Sequence, residues 1–588
     1  MSHQIRKNLG VTVDKHGADF RLWAPFARAV ELAGSFSETK IPLESDGDGY
    51  WHARVDGAEP GSLYRYIITT ADGTTLEKND PRARVITSSD NGFSVIADNS
   101  YAWQSNDFVP HAREKQIIYE LHVGTFHRVD SATPGTFDTA IERLDYLADL
   151  GINMIELMPV TSMAFSNGWG YAPNYLFSVE SMLGGRHGLM KFVDACHQRG
   201  IGVILDVVYN HFYPETDLWQ FDGWSENGRG GIYFYNDERG DTPWGGRPDY
   251  GRPEVRQFIL DNVTMWLTEF RLDGLRVDST IYMRNTKGID NAPTTDIPEA
   301  WTLMQEITEL SHSINPSALI IAEDCATNSY ITKSADEGGA GFDAQWELGF
   351  PHSLRDALAL NGHDLPNLDG IDYEAHHVFN GSCFERVIFS DSHDTAANGS
   401  VRLNEAASPE RARSLVARQK SLLASAITLT SPGIPMILQG TEFLQEGSFN
   451  DWQELQWENT TKYLGFVEAH RHLISLRVNK YGNSAGLLGE HVALVHRDDQ
   501  NGVLVYQRAD NPAFDKPTVI IAHFSDKSFD EYFLPLPNSD AWTVRFNSTW
   551  HGYSPEFSET AVSYCEPNEN GTVSMPLAPY SVYILSQE

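Results

Sequence analysis

The sequence predicts an α/β protein: a (β/α)8 TIM barrel flanked by N-terminal and C-terminal β-sandwich domains. Three observations carry the prediction. Short alternating strands broken by turns fill about residues 10–105, apolar strands alternate with helical stretches from about 115 to 480, and the short alternating pattern returns from about 485. A chain of 588 residues is longer than one hydrophobic core organises. The shifts in pattern place three domains at 1–112, 113–482 and 483–588.

In the first zone ADFRLWAP, AVELAGSF, YWHARVDG and SLYRYIITT read as sandwich strands, with no long amphipathic helix between them. In the middle zone QIIYELHV, INMIELMPV, IGVILDVVYNH, LDGLRVD, ALIIAED and ERVIFSDSHD are continuous apolar runs, the signature of strands buried on both faces. The segments between them carry apolar residues at helical spacing. One is a predicted helix over Thr139–Leu150, closed by Gly151 as a C-cap. Repeated β–α units over so long a stretch favour a closed barrel over an open sheet. An insert from about Phe212 to Arg252 has no periodicity and shows no core of its own. A loop that long in a compact domain is usually functional. The last zone contributes VALVHR, GVLVYQRA, TVIIAHFS and YSVYILS to a second sandwich.

Composition narrows the partners. With 80 acidic against 44 basic residues the net charge is −36. Such a surface repels the phosphates of nucleic acid and of anionic membranes, so neither is expected as a partner. The charge is compatible with an uncharged substrate and otherwise reads as a solubility adaptation. No stretch approaches the roughly 20 apolar residues of a membrane span. The opening MSHQIRKNLG lacks the apolar core of a signal peptide, which makes the cytoplasm the expected location. Cys196, Cys325, Cys383 and Cys565 lie far apart without a CxxC pair, and read as reduced thiols.

The chemistry is signalled by position. Apolar strands end on acids: Asp206, Asp278, Glu323 with Asp324, and Asp391 with Asp394. A parallel barrel delivers all its strand ends to one face, where carboxylates that are costly to bury converge. Arg276, two residues before Asp278, projects to the same side of its strand and favours an ionised Asp278. The apolar run before Glu323 is expected to desolvate it and raise its pKa, as a general acid requires. His211 and His393, beside Asn210 and Asp394, supply donors for sugar hydroxyls. Trp169 and Tyr171, and in the insert Trp219, Trp224, Tyr233, Phe234, Tyr235 and Trp244, are candidate platforms for the apolar faces of pyranose rings.

DVVYNH (Asp206–His211), GLRVD (Gly274–Asp278), AED (Ala322–Asp324) and SHD (Ser392–Asp394) resemble, in order, the four short motifs of the α-amylase superfamily, glycoside hydrolase family 13. The resemblance implies Asp278 as nucleophile, Glu323 as general acid/base and Asp394 as the stabiliser that grips ring hydroxyls. It implies Tyr171, Asp206, His211, Arg276, His393, Trp169 and Met283 as substrate-binding residues. A retaining mechanism would set the first two carboxyls roughly 5–5.5 Å apart. RLWAPFARAVEL resembles the carbohydrate-binding module of branching and debranching members. No cofactor is implied. Asn210 matches a calcium ligand of many amylases, but a lone ligand does not make a site, and no metal is expected. The implied partner is an α-glucan: glycogen, amylose or a maltooligosaccharide.

Within the family, GFDAQWELGFPHSLRDAL and EFLQEGSFNDWQELQW resemble 1,4-α-glucan branching enzymes, as does Met283 after the nucleophile. IIYELHVGTF, DAQW and DVVYNHF equally resemble maltooligosyltrehalose trehalohydrolase. Branching is the leading expectation, with trehalohydrolase or another α-glucan hydrolase as the alternative. A non-catalytic glucan-binding protein stands further off, since all three carboxylates are present.

Overall fold

A computed structural model of the chain describes residues 8–88, 92–164, 168–358, 365–408, 413–558 and 562–587. The first seven residues, part of the opening segment read above for a signal peptide, lie outside this range. Eight parallel strands close into a barrel in sequence order. They are β1 (Ile118–Leu121), β2 (Met154–Leu157), β3 (Gly202–Val207), β4 (Gly274–Val277), β5 (Leu319–Ala322), β6 (Ala344–Trp346), β7 (Arg386–Phe389) and β8 (Ile434–Leu438). Every strand is buried along its whole length, which is why they read as unbroken apolar runs. Sequence analysis located six of them; β6 and β8 it did not.

The N-terminal sandwich pairs a four-stranded sheet with a six-stranded one, and the C-terminal module is all β as well. Their cores differ. Phe20, Leu22, Val30, Tyr64 and Ile68 of the first sandwich belong to the same buried cluster as the barrel. Val505, Ile521, Leu534, Trp542 and Leu585 of the last module form a separate cluster, while Leu504, Tyr506, Ile520, Phe546 and Ile584 of the same strands join the barrel's cluster. Among the described residues no helix is long and apolar enough to cross a membrane.

Two expectations need correction. The helix expected over Thr139–Leu150 is two helices, Phe137–Ile141 and Leu144–Leu150. Thr136 and Thr139 close a capping box that starts the first one earlier, and the chain breaks at Arg143, whose guanidinium lies 4.5 Å over the Trp457 ring. Gly151 does form the left-handed cap.

The insert, read as lacking a core, has one. Phe212, Phe221, Tyr233, Phe234 and Tyr235 are buried, packing on Phe258 of helix Pro253–Thr268 and on Trp23 of the N-terminal sandwich. A buried aromatic ring removes about 200 Å² from water, worth about 5 kcal/mol gross at ~25 cal/mol per Å². Aromatic richness here is therefore mostly packing, and Tyr233, Phe234 and Tyr235 cease to be platform candidates. Phe26 stacks on Trp224 at 4.4 Å and its amide donates to Asp222 at 2.9 Å. Gly223 takes a left-handed conformation there, and any Cβ would also strike the Thr70 side chain. Ion pairs Arg82–Asp261 (2.8 Å) and Arg84–Glu269 (3.0 Å) complete the docking of the N-terminal sandwich on the barrel.

Candidate active site

The strand-end acids gather at one rim. Asp278 and Glu323 each stand one residue beyond their strands, yet their amides continue the parallel ladder to Val207 and Val277, both at 3.0 Å. Their Cα positions are thus fixed by sheet hydrogen bonds rather than by loops, the kind of support that a precise site requires.

Arg276 is fully buried on β4 and organises the centre. Its Nη1 lies 2.6 Å from Asp206 Oδ2 and 2.9 Å from Asp278 Oδ1, and its Nη2 lies 3.2 Å from Glu323 Oε2. One guanidinium therefore bridges three carboxylates, while its face lies 4.2 Å over the Trp346 ring. Asn210 donates from Nδ2 to Asp278 Oδ2 at 2.7 Å. Burial raises Asp278 to about 6, opposed by Arg276 and reinforced by Asp206. The depression expected from Arg276 is present but burial outweighs it. Burial raises Glu323 to about 7, again opposed by Arg276 and reinforced by Asp278 and Asp394. The site thus offers two coupled carboxyls poised around neutrality, one able to carry a proton while the other is ionised.

Asp394 is open, with 41% of its side chain exposed, and its Oδ1 lies 3.5 Å from His393 Nε2. Tyr171 donates its hydroxyl to Asp206 Oδ2 at 2.5 Å and its carbonyl accepts from His211 Nε2 at 2.8 Å. The Tyr171 ring stacks on His393 at 5.2 Å, and Trp169 meets the same imidazole edge-on at 5.7 Å. Trp244 is the one insert aromatic left open, 48% exposed, 5.5 Å from His211 and 4.8 Å from Tyr282. It is held there by Gly245 and Gly246, which press against Phe212, leaving no space for a Cβ at Gly245. Trp219 and Trp224 are half-buried.

Not every candidate faces the cleft. Met283 is fully buried in the core behind the helix Thr280–Arg284 and presents no surface to a bound chain. The Met283 backbone N–H donates to the Ser279 carbonyl at 3.2 Å. Asp206 and Arg276 are buried too; Arg276 meets Asp206, Asp278 and Glu323, and Asp206 also accepts from the Tyr171 hydroxyl. Asp324 is engaged by Arg284 through two hydrogen bonds of 2.9 and 2.7 Å, and Asp391 by Arg355 and the Leu403 amide. These two strand-end acids are structural.

Two buried acids escaped the sequence reading: Glu120 on β1 and Glu156 on β2, paired in register across the sheet. Glu120 accepts from the His393 amide (3.0 Å) and from its Nδ1 (2.5 Å). The signal for both was available, since each is a charge inside an otherwise apolar strand run, in IIYELHV and NMIELMPV. Among the described residues, Glu347, Glu374 and His377 also cluster with their ligand atoms within 4.8 Å of one another. The Arg386 guanidinium pairs with both glutamates and supplies the cation there.

The family described as alpha amylase, catalytic domain, matches residues 120–241 and 246–472. Carbohydrate-binding module 48 (isoamylase N-terminal domain) matches 8–83, and the alpha amylase C-terminal all-beta domain matches 494–588. The chain is 31% identical to a malto-oligosyltrehalose trehalohydrolase of Saccharolobus solfataricus, over 75% of this chain and 76% of the relative. It is 29% identical to a 1,4-alpha-glucan branching enzyme of Corynebacterium jeikeium, over 93% of this chain and 78% of the relative. In fold it matches a pullulanase from Anoxybacillus sp. LM18-11 complexed with maltotetraose, with a TM-score of 0.78 at 22% identity, covering 100% of this chain and 88% of the other.

Proposed function

The chain belongs to the α-amylase catalytic-domain family, glycoside hydrolase family 13, and is an α-glucan-active enzyme; from that premise we propose that it is a 1,4-α-glucan branching enzyme. In this reading Asp278 attacks the anomeric carbon of an α-1,4-linked glucose while Glu323 protonates the departing oxygen. The C–O bond breaks, a covalent glycosyl–Asp278 ester forms, and the non-reducing fragment stays attached. Glu323, now ionised, takes the proton from the 6-hydroxyl of a second chain. That oxygen displaces Asp278 and leaves an α-1,6 branch with retained configuration. Arg276 holds both carboxylates in place, and Asp394 grips hydroxyls of the attacked ring. The N-terminal module, up to about residue 112, supports the barrel that runs to about 482.

The observation that supports transfer over hydrolysis is the reach of the similarity. Likeness to the branching enzyme runs over 93% of this chain, against 75% for the trehalohydrolase. Trp244, open beside His211, is a fitting platform for an acceptor chain, which would then react as at high effective molarity. Incubation with amylose tests the proposal. Iodine-staining length should fall and α-1,6 linkages should appear with little rise in reducing ends.

The second reading, trehalose release from a trehalose-capped maltooligosaccharide, is favoured by the higher identity to the trehalohydrolase. Free trehalose or reducing sugar accumulating without new branches would replace the first reading with this one.

A further inference from the structure

We propose that Glu120 is a positioning residue that holds His393 as an imidazolium, so that a fixed positive charge faces Asp394 at the mouth of the site. The inference rests on the reading of this rim as the glucan site. One buried carboxylate accepts from two donors of His393, the backbone N–H at 3.0 Å and Nδ1–H at 2.5 Å, and so fixes ring and chain together. The other ring nitrogen lies 3.5 Å from Asp394 Oδ1. Tyr171 stacks on one face of the ring, an arrangement that suits a cation.

Three buried histidines in the same pocket provide an internal comparison. His122 and His211 have no carboxylate at their rings, and burial lowers both to about 4. His393 is as deeply buried, which acts to lower it, yet Asp394 and Glu120 raise it to about 9. The titratable groups around it are Glu120 on β1, Glu156 on β2, Asp206 on β3, Arg276 on β4, its neighbour Asp394, and His122 and Tyr171. Burial keeps Glu156 well above the usual carboxylate range, and its Oε2 has no hydrogen-bond partner, so it is a neutral neighbour rather than a competing anion. Among the described residues, Asp206, Asp278, Glu323 and Asp394 then share Arg276 as their one permanent cation, and a second positive charge relieves their repulsion.

The consequence for the sugar runs through Asp394. A neutral His393 still donating Nδ1–H to Glu120 would turn the Nε2 lone pair toward Asp394 Oδ1, an unfavourable contact that would push the carboxylate off the ring hydroxyls. Glucan affinity should therefore hold while His393 is protonated and fall as pH rises through its pKa.

The test uses the full chain carrying Glu323→Gln, which binds without turnover and removes the titration of Glu323. Maltohexaose affinity is measured by calorimetry from pH 5 to 10. The expected result is affinity that falls with a midpoint near 9, and a midpoint lower by at least about one unit when Glu120→Gln is added. Glu120→Asp should restore part of the shift. A midpoint near 6.5 with Glu120 intact, or a pH-independent loss of affinity in Glu120→Gln, would overturn the assignment. The first measurement stands even where Glu120→Gln does not fold. Absence of maltohexaose binding at every pH would overturn the site reading itself, and this assignment with it.

Discussion

The amide of Ser279 donates a 2.7 Å hydrogen bond to Oε2 of Glu323, so the residue that follows one carboxylate holds the other. Ser279 adopts a left-handed conformation (φ 45°) to do this, an arrangement that costs a non-glycine residue about 1–2 kcal/mol. The next amide, of Thr280, donates to the Glu323 carbonyl at 2.9 Å. Together with Arg276, these bonds make Asp278 and Glu323 one rigid unit.

Activity should follow a narrow bell in pH. One carboxyl of the pair must be ionised and the other protonated, so activity falls below about 6 as Asp278 gains its proton and above about 7 as Glu323 loses its own. Asp278→Asn should abolish turnover with the fold intact. Glu323→Gln should flatten the alkaline limb and hurt unactivated glucans most. Rates in well-folded variants across pH 4–9 check this, and equal losses on activated and unactivated glycosides would assign the acid elsewhere.

Trp244→Ala should raise KM for amylose by about 2- to 10-fold, the range expected for an aromatic contact worth about 0.5–1.5 kcal/mol, with kcat little changed. Thermal stability should barely move, since the ring is half exposed. An unchanged KM on both long and short glucans would remove Trp244 from the binding surface.

Deleting the residues before about Arg113 should not give a soluble enzyme that is merely weak on long glucans. The N-terminal sandwich covers Tyr233 and Trp224 and pairs with Asp261 and Glu269, so its loss should leave the barrel insoluble or markedly less stable. Phe26→Ala gives a graded form of the same test, with an expected loss of about 1–3 kcal/mol. A truncated chain that unfolds at the parent temperature would contradict the docking described above.

Added salt should stabilise the protein. A net charge of −36 repels itself in the compact state, and screening shortens from about 10 Å at 0.1 M to about 3 Å at 1 M ionic strength. Tm should rise by several degrees over that range of NaCl and then level off. A flat or falling Tm would show that local ion pairs, not the overall charge, dominate.

The sequence made the barrel and most of the rim legible for physical reasons that also explain what it hid. Long apolar runs ending on acids stand out, but β6 is only Ala344–Trp346, too short to show a pattern, and β8, Ile434–Leu438, follows SPG and contains Pro435, which reads as loop. Asp206, Asp278, Glu323 and Asp394 were visible because they end strands. Glu120 and Glu156 sit inside strands, where an acid looks like an interruption of the pattern rather than part of a site. Burial was the other blind spot: nothing in the one-dimensional pattern separates the open Trp244 from the packed Tyr233, Phe234 and Tyr235, or reveals that Met283 points into the core.

The shared core of the first sandwich and the barrel also sets an order of events during synthesis. The sandwich leaves the ribosome first, but the insert and the helix carrying Phe258 that cover its apolar flank are encoded some 160 residues later. At about 5–20 residues per second that flank waits uncovered for roughly 10–30 s. The last module packs part of its core on a barrel that is already synthesised, and has no such delay. Until then Trp23 and Phe26 lack Tyr233 and Trp224, the rings that cover them in the finished fold.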